Sequence, residues 1–424
     1  MKKLLAVAVS VVISGSAFAT TLDQSVKDAL MTHPDLQAAR AESRAVVDDL
    51  DGAKSALRPR IDLNAGIGRE RTDSENVNGG DPISLTRKEL GINAVWTLFD
   101  GSDRGEIARR MGISESTAFA LMDLEQRIVL QAAEAYTNLW RAEQQFAIAR
   151  ESRQAHETLV DQIGRRVENG ISNQAELVQA QGRLALSLSN QSAATANLQS
   201  ARATYHRVVG SIPEQDVVMP MMDWSRPASL DAAVDLAYSN HPVIAEAQAD
   251  IREAMGQAKS SDGTLMPRVN LELGASRNQD LDGIKNVSKD RLAMLRLNWT
   301  LYNGANSASK RASAERVTQA ENLLNDAQRE VIEATHQSWN EYQSTTQQIG
   351  FLQTYVQSAD NSRNAYQQQF TINRRSLLEV LDAEVELFDA RSSMVDAQAD
   401  NVIADNQLAA SQGQLLSALK LMSN

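Results

Sequence analysis

Trp96-Thr97-Leu98-Phe99-Asp100-Gly101 decides how this chain is read, because it returns as Trp299-Thr300-Leu301-Tyr302-Asn303-Gly304 with only conservative changes. Each copy closes an apolar/polar alternation and opens a long proline-free run rich in Ala, Gln, Leu and Glu. Alternation at period two predicts a strand with one buried face, and the run that follows predicts helix. The hexapeptide is therefore a strand-to-helix joint, used twice, with Trp96 and Gly101 marking one joint and Trp299 and Gly304 the other.

The duplication extends outward from the joints. Leu22, Asp23, His33-Pro34, Pro59-Arg60, Leu63 and Gly66 recur as Leu230, Asp231, His241-Pro242, Pro267-Arg268, Leu271 and Gly274. A repeat of this length must be one architecture made of two halves. The first half is expected over 20–212, with strands at about 59–71 and 88–99 and a long helix pair over 102–209. Pro213, Pro220 and Pro227 mark a linker over 213–229. The second half spans 230–424, with strands at about 267–277 and 291–302 and a helix pair over 306–420. All eight prolines lie outside 83–212 and 268–424, the spans that hold the long helices. Leu381, Phe388, Val395, Val402, Ala409 and Leu416 stand one heptad apart, which predicts a coiled-coil seam.

Residues 1–19 read as a secretory signal: Lys2 and Lys3, an apolar stretch from Leu4 to Ile13, and Ala17-Phe18-Ala19 as the cleavage site. Its removal takes the two lysines and deepens the net charge from −12 to −14. Cysteine is absent, so disulfides, thiolate metal sites and a lipid-modified N-terminal cysteine are excluded. The acidic balance argues against nucleic acid, which needs clustered Lys and Arg. The five histidines show no ligand spacing, and no Gly-x-Ser-x-Gly, His-Glu-x-x-His or Walker sequence occurs, so neither catalysis, cofactor nor metal is expected.

The strands carry the functional signal. Leu90, Ile92, Ala94, Trp96 and Leu98, with Ala293, Leu295, Leu297, Trp299 and Leu301, give one uniformly apolar side. Asn93, Val95, Thr97, Arg296, Asn298 and Thr300 lie on the other. Such strands suit a membrane barrel with lipid outside and water inside, or a soluble sheet packed on a core. In lipid no edge stays unpaired and the smallest barrels use eight strands, so four strands per chain require several chains in one barrel.

The twofold strand–strand–long-helix repeat, the His-Pro near the start of each half and the Pro-Arg before each first strand resemble the TolC family of outer-membrane channels. Without a lipidation cysteine, the chain is most similar to the type I protein-secretion branch. The resemblance implies a mainly helical chain with a small sheet, assembled as a homotrimer. A 12-stranded β-barrel would lie in outer-membrane lipid and a 12-helix α-barrel would continue it into the periplasm. It implies two partners, a periplasmic adaptor (membrane fusion) protein and an inner-membrane transporter of the ABC type. It implies an exit duct for secreted protein; a multidrug or small-molecule efflux duct of the same fold is the alternative. A periplasmic coiled-coil adaptor or spacer is the rival from another class.

Matched residue by residue, the resemblance puts two pore-narrowing acids at Glu379 and Asp382, a gate arginine at Arg375 and its partner acid at Glu176. Phe370 stands where the family has a gate tyrosine, and Asn373 where it has a turn glycine. The adaptor-contacting turns map to Asn169, Gly170 and Ser172, and to Asn373, Arg374 and Ser376. A plainer reading remains open beside this one. Ser376-x-x-Glu379 is a capping box and Asn173-x-x-Glu176 its analogue, so acids are favoured there whatever the helix does. Asp382 lies beyond the capping positions, which makes it the sharper candidate for a ring of acids whose mutual repulsion raises carboxyl pKa values.

Overall fold

The computed structural model describes residues 21–213 and 217–420; the expected signal segment lies outside them. Helices α1 (Leu22–Thr32) and α2 (Pro34–Ser55) precede strands β1 (Arg60–Thr72) and β2 (Ile83–Phe99). Helices α3 (Gly101–Glu168) and α4 (Gln174–Val209) complete the first half. The second half repeats the order with α5 (Leu230–Asn240), α6 (Pro242–Gly263), β3 (Arg268–Gln279), β4 (Val287–Asn298), α7 (Gly304–Thr371), α8 (Leu377–Ser411) and the short α9 (Leu415–Ala418). His33 and His241 are extended, each just before the proline that opens the next helix. Helices α3 and α7 are each unbroken over 68 residues.

Contacts divide the chain into two compact units. One holds 35–124 and 235–333; the other holds the described residues up to 34, 125–234 and those from 334 onward.

The first unit contains a four-stranded antiparallel sheet in the order β1-β2-β3-β4. Its register places Leu63 opposite Ile92, Ile92 opposite Ala275, Ala94 opposite Leu273, and Leu273 opposite Ala293. Directly opposite residues share a face, so the apolar side chains of all four strands form one continuous surface. That surface is open: Ile61 is 66% exposed, Leu63 70%, Leu295 66% and Leu297 61%. The opposite face carries the paired charges, such as Arg296 on Glu272 at 2.6 Å.

Two strand boundaries differ from expectation. β2 starts at Ile83 rather than 88, because Thr72 on β1 continues the ladder to that point. β4 covers 287–298 rather than 291–302, so Trp299 to Asn303 fall outside it. The reason is the number of neighbours. Phe99 is held by Val269 after a bulge, whereas Asn298 already faces Arg268, the first residue of β3. The indoles nevertheless act alike in both halves. Trp96 Nε1 donates to the Leu57 carbonyl and Trp299 Nε1 to the Leu265 carbonyl, each at 3.0 Å.

In the same unit α3 meets α6 backbone to backbone at Gly105, Gly112, Gly256 and Gly263. Asp100 prepares the start of α3: its Oδ1 accepts from the Ser102 amide at 2.8 Å and its Oδ2 accepts from Arg268.

In the second unit the seam of α8 is buried at Leu381, Val395 and Ala409 and half-buried at Phe388 and Val402. The return helix stops at Ser411 instead of running to 420, because Gly413 adopts a left-handed φ of 69°. The expected linker is a tied strap rather than a loose connection. Val217 N–H donates to Glu143 at 3.0 Å, the Tyr136 hydroxyl donates to the Val218 carbonyl at 2.9 Å, and Arg226 donates to Asp405 at 2.7 Å. Prolines deny the strap a helix, so side chains satisfy its backbone instead. Burial pushes the Tyr136 phenol up to about 12.

Candidate functional site: the two helix turns

The α3–α4 and α7–α8 turns are built alike. In the first, Ile171 N–H donates to the Arg166 carbonyl at 2.8 Å and Gly170 N–H to the Val167 carbonyl at 3.0 Å. In the second, Arg374 N–H donates to Gln369 at 2.8 Å and Asn373 N–H to Phe370 at 3.0 Å. Both are Schellman closures, with Gly170 at φ 72° and Asn373 at φ 57° in the left-handed position. Asparagine tolerates that conformation better than most residues.

A shared core lies beneath the turns: Leu159, Ile163, Ala180, Phe370, Leu377, Val380 and Leu381. Phe370 is thus a packing residue here, 7% exposed. Arg166 lies over its ring at 4.7 Å and also donates to the Asn373 side chain, which ties the first turn to the second. That bridge was not anticipated from the sequence, since nothing about Arg166 distinguishes it there from the neighbouring Arg165.

The charged candidates are arranged differently from expectation. Arg375 does not reach Glu176 within the chain. It donates to Glu379 one helical turn on and to Gln369 at 3.0 Å, and lies 4.4 Å over the Tyr366 ring. Glu176 accepts from the Ser172 hydroxyl, while its amide donates to Asn173 Oδ1 at 2.9 Å. Each turn therefore holds its own acid with local donors, the Ser172 hydroxyl for Glu176 and the Arg375 guanidinium for Glu379. Only close neighbours in sequence are needed for this, and they cost little chain entropy to bring together.

Glu379 completes the capping box: its carboxylate accepts from Ser376 N–H at 2.9 Å and its amide donates to the Ser376 hydroxyl. Its pKa is held below the usual carboxylate range, first by the Ser376 amide, then by Arg375 and the Ser376 hydroxyl. Within one chain every partner of Glu379 is a donor. The contribution of this cap is therefore present above the unfolded carboxylate pKa and lost as pH falls through the folded one. Asp382 sits one turn further along, with its side chain 57% exposed and its Oδ1 accepting from Arg183 at 2.9 Å. Arg183 is a second residue that sequence reading missed; only the approach of α4 to α8 reveals it. Asn169, Arg374 and Ser376 are exposed at the tips of the turns.

Above the turns, Glu384 is buried beside Arg363. Burial raises its pKa, against the opposing pull of Arg363, His156 and Arg391. Among the described residues no cluster of His, Asp or Glu has the arrangement of a metal site.

Comparison with known proteins agrees with this architecture. The family described as Outer membrane efflux protein matches residues 25–211 and 233–414. The chain is similar to the outer membrane efflux protein BepC of Brucella suis, 25% identical with 96% of this chain and 90% of BepC covered. It is similar to the outer membrane protein TolC of Vibrio cholerae, 25% identical over 98% and 96% of the two chains. A third relative, the alkaline protease secretion protein AprF of Pseudomonas aeruginosa, is 23% identical over 92% and 83%. Among solved structures, the CmeC outer membrane channel of Campylobacter jejuni superposes with a TM-score of 0.83 at 14% identity, over 93% of this chain and 86% of that one. A continuous apolar sheet face, two unbroken helices of 68 residues and a match spanning both halves lead to one conclusion: the chain belongs to the outer membrane efflux protein family, the TolC-type channels, which are ducts of the outer membrane with a periplasmic helical extension rather than enzymes.

Proposed function

We propose that three copies of this chain close one twelve-stranded barrel and serve as the passive exit duct of a type I protein-secretion assembly. A periplasmic adaptor would seat on the helix turns, and an inner-membrane transporter of the ABC type would supply the energy. The likeness to AprF, which is named for the secretion of a protease, supports this reading.

The observation that carries the barrel is the sheet itself. β1 and β4 each have one unpaired edge, and an unpaired edge is not tolerated in lipid. The repeat supplies the missing register. Within the chain β2 pairs β3 with Ala94 opposite Leu273 and Ile92 opposite Ala275. Their counterparts in the other half would put Leu297 of β4 opposite Ala65 of a neighbour's β1, and Leu295 opposite Ile67. Such pairing would also give Trp299 to Asn303 the neighbour they lack within one chain.

The test uses the absence of native cysteine. A protein carrying Leu297→Cys and Ala65→Cys should oxidise to dimers and trimers, and Leu297→Cys with Ile61→Cys should not. A non-cross-linking monomer that conducts ions in a bilayer would overturn the shared barrel.

The acids at the turns would line the tunnel entrance, with Arg375 as a latch. Because Arg183 and Arg375 already neutralise one acid each, the expected charge effect is moderate. Asp382→Ala should lower cation preference in planar bilayers by a factor of about 2–5, the scale of one exposed, screened charge per chain. Selectivity that stays unchanged in that variant would leave Glu379 and Asp382 as structural acids.

A further inference from the structure

The outward face of the sheet changes character along its length. Near the helices it is apolar, with Trp96 and Trp299 at the margin. Toward the two hairpins the same face carries Arg69 and Arg71 on β1, Lys88 on β2, Arg277 on β3, and Lys289 and Arg291 on β4. All six are exposed. No carboxylate lies on this face of any strand: Asp62, Glu70, Glu89, Glu272 and Asp290 all point to the other side by alternation. The arginines on that other side are matched, Arg60 by Asp62, Arg87 by Glu70 and Glu89, Arg296 by Glu272 and Arg268 by Asp100. Among the described residues none of the six outward cations has such a partner.

The register makes this costly. Arg277 stands directly opposite Lys289 in the β3–β4 ladder. Like charges directly opposite on one face repel and destabilise the pairing. Lys88 lies diagonal to Arg277, since Arg277 faces Leu90 two residues along β2. In a chain with a net charge of −12, six unmatched cations are concentrated on one end of one face. An anion must offset them. The hairpins lie at the strand ends remote from α3 and α7, so with the helices in the periplasm this band meets the outer leaflet of the outer membrane.

We propose that this band is a binding site for a phosphorylated glycolipid of the outer leaflet. The lipid's phosphates would bridge Arg277, Lys289 and their neighbours while its acyl chains cover the apolar surface beneath. Guanidinium groups suit such a ligand because they hold phosphate oxygens in a two-pronged geometry. Both halves of the ligand are then met by one face, phosphate at the cationic band and acyl chain at Leu273, Leu292-flanked Ala293 and Leu295.

The test compares the full-length protein in dodecyl maltoside with the variant Arg277→Gln/Lys289→Gln. The probes are bisphosphorylated lipid A, the same lipid after phosphatase treatment, and inorganic phosphate; the readouts are bound lipid by native mass spectrometry and thermal unfolding. The bisphosphorylated lipid should bind the native protein and raise its melting temperature, and the other two should not. The variant should bind that lipid about 25-fold more weakly, since two cations are removed and each near an anionic surface is worth about a fivefold change in affinity. Without lipid A the variant should melt no lower than the native protein, because a repulsive pair has been removed. A purely structural role for the two side chains would give the reverse. Equal affinity in native protein and variant overturns the proposal, as does equal binding of the dephosphorylated lipid or a lower melting point of the lipid-free variant. Lys289→Gln alone supplies the same comparison should the double variant not fold. A native protein that does not enter lipid vesicles at all would overturn the barrel, and this site with it.

Discussion

Alanine in place of Gly105 or Gly112 is expected to destabilise the protein by about 1–3 kcal/mol, the range of an overpacked core. A Cβ on Gly105 would stand 2.1 Å from the Ser260 amide nitrogen and 2.2 Å from its Cα, and one on Gly112 would stand 2.4 Å from the Glu253 nitrogen. The obstacles are backbone atoms, so no rotamer change relieves them and α6 itself must move. The opposing effect is helix propensity, which favours alanine over glycine by about 1 kcal/mol in a helix interior. Open positions isolate that effect. Nothing lies within 4 Å of a Cβ built at Gly182 or Gly350, so alanine there should stabilise. Thermal unfolding followed by circular dichroism should therefore move in opposite directions for Gly105→Ala and Gly182→Ala. The same direction for both would show that α3 and α6 separate at little cost. Gly256→Ala should behave like Gly105→Ala, since its Cβ would meet the Arg109 nitrogen at 2.3 Å.

Asp405→Ala should release the strap that joins the two halves. The carboxylate is buried and accepts from Arg226 at 2.8 and 2.7 Å and from the Trp224 indole at 3.1 Å. Arg226 also lies 5.5 Å from the Tyr342 ring. Hydrogen bonds to charged groups contribute about 1.5–3 kcal/mol each when buried, and Arg226 is 36% exposed, so the net loss is placed at the lower end, about 1.5–2 kcal/mol. Asp405→Asn should retain part of it through one acceptor oxygen. Chymotrypsin cleavage after Trp224 reads the strap directly: it should quicken in Asp405→Ala while the helices stay intact. Unchanged cleavage with an unchanged melting temperature would show that Glu143 and Tyr136 hold the strap without help.

Much of the fold follows from local rules. The Trp96 and Trp299 joints, the helix breaks at His33-Pro34 and His241-Pro242, and the proline-free spans each depend on residues adjacent in sequence. So does the capping box of Ser376 and Glu379. Their physics is the choice of backbone conformation by a few neighbouring side chains, which a sequence displays openly. The glycines of the α3–α6 contact were legible in principle: Gly105 and Gly112 stand seven apart, as do Gly256 and Gly263, though their spacing does not say which helices meet.

Where a strand ends and whom a charge meets were decided elsewhere. β4 stops at Asn298 and β2 runs to Phe99 although their sequences match, because only β2 has a neighbour on both sides. Arg375 turned to Glu379 rather than Glu176, and Asp382 found Arg183 on another helix. The sequence by itself determined the repeat, the order of strands and helices, and one apolar face per strand, since these are written in the spacing of side chains along a single element. Register, ion-pair partners and the cationic end of the sheet were decided by tertiary structure, because each depends on which residue of a distant segment lies within a few ångströms.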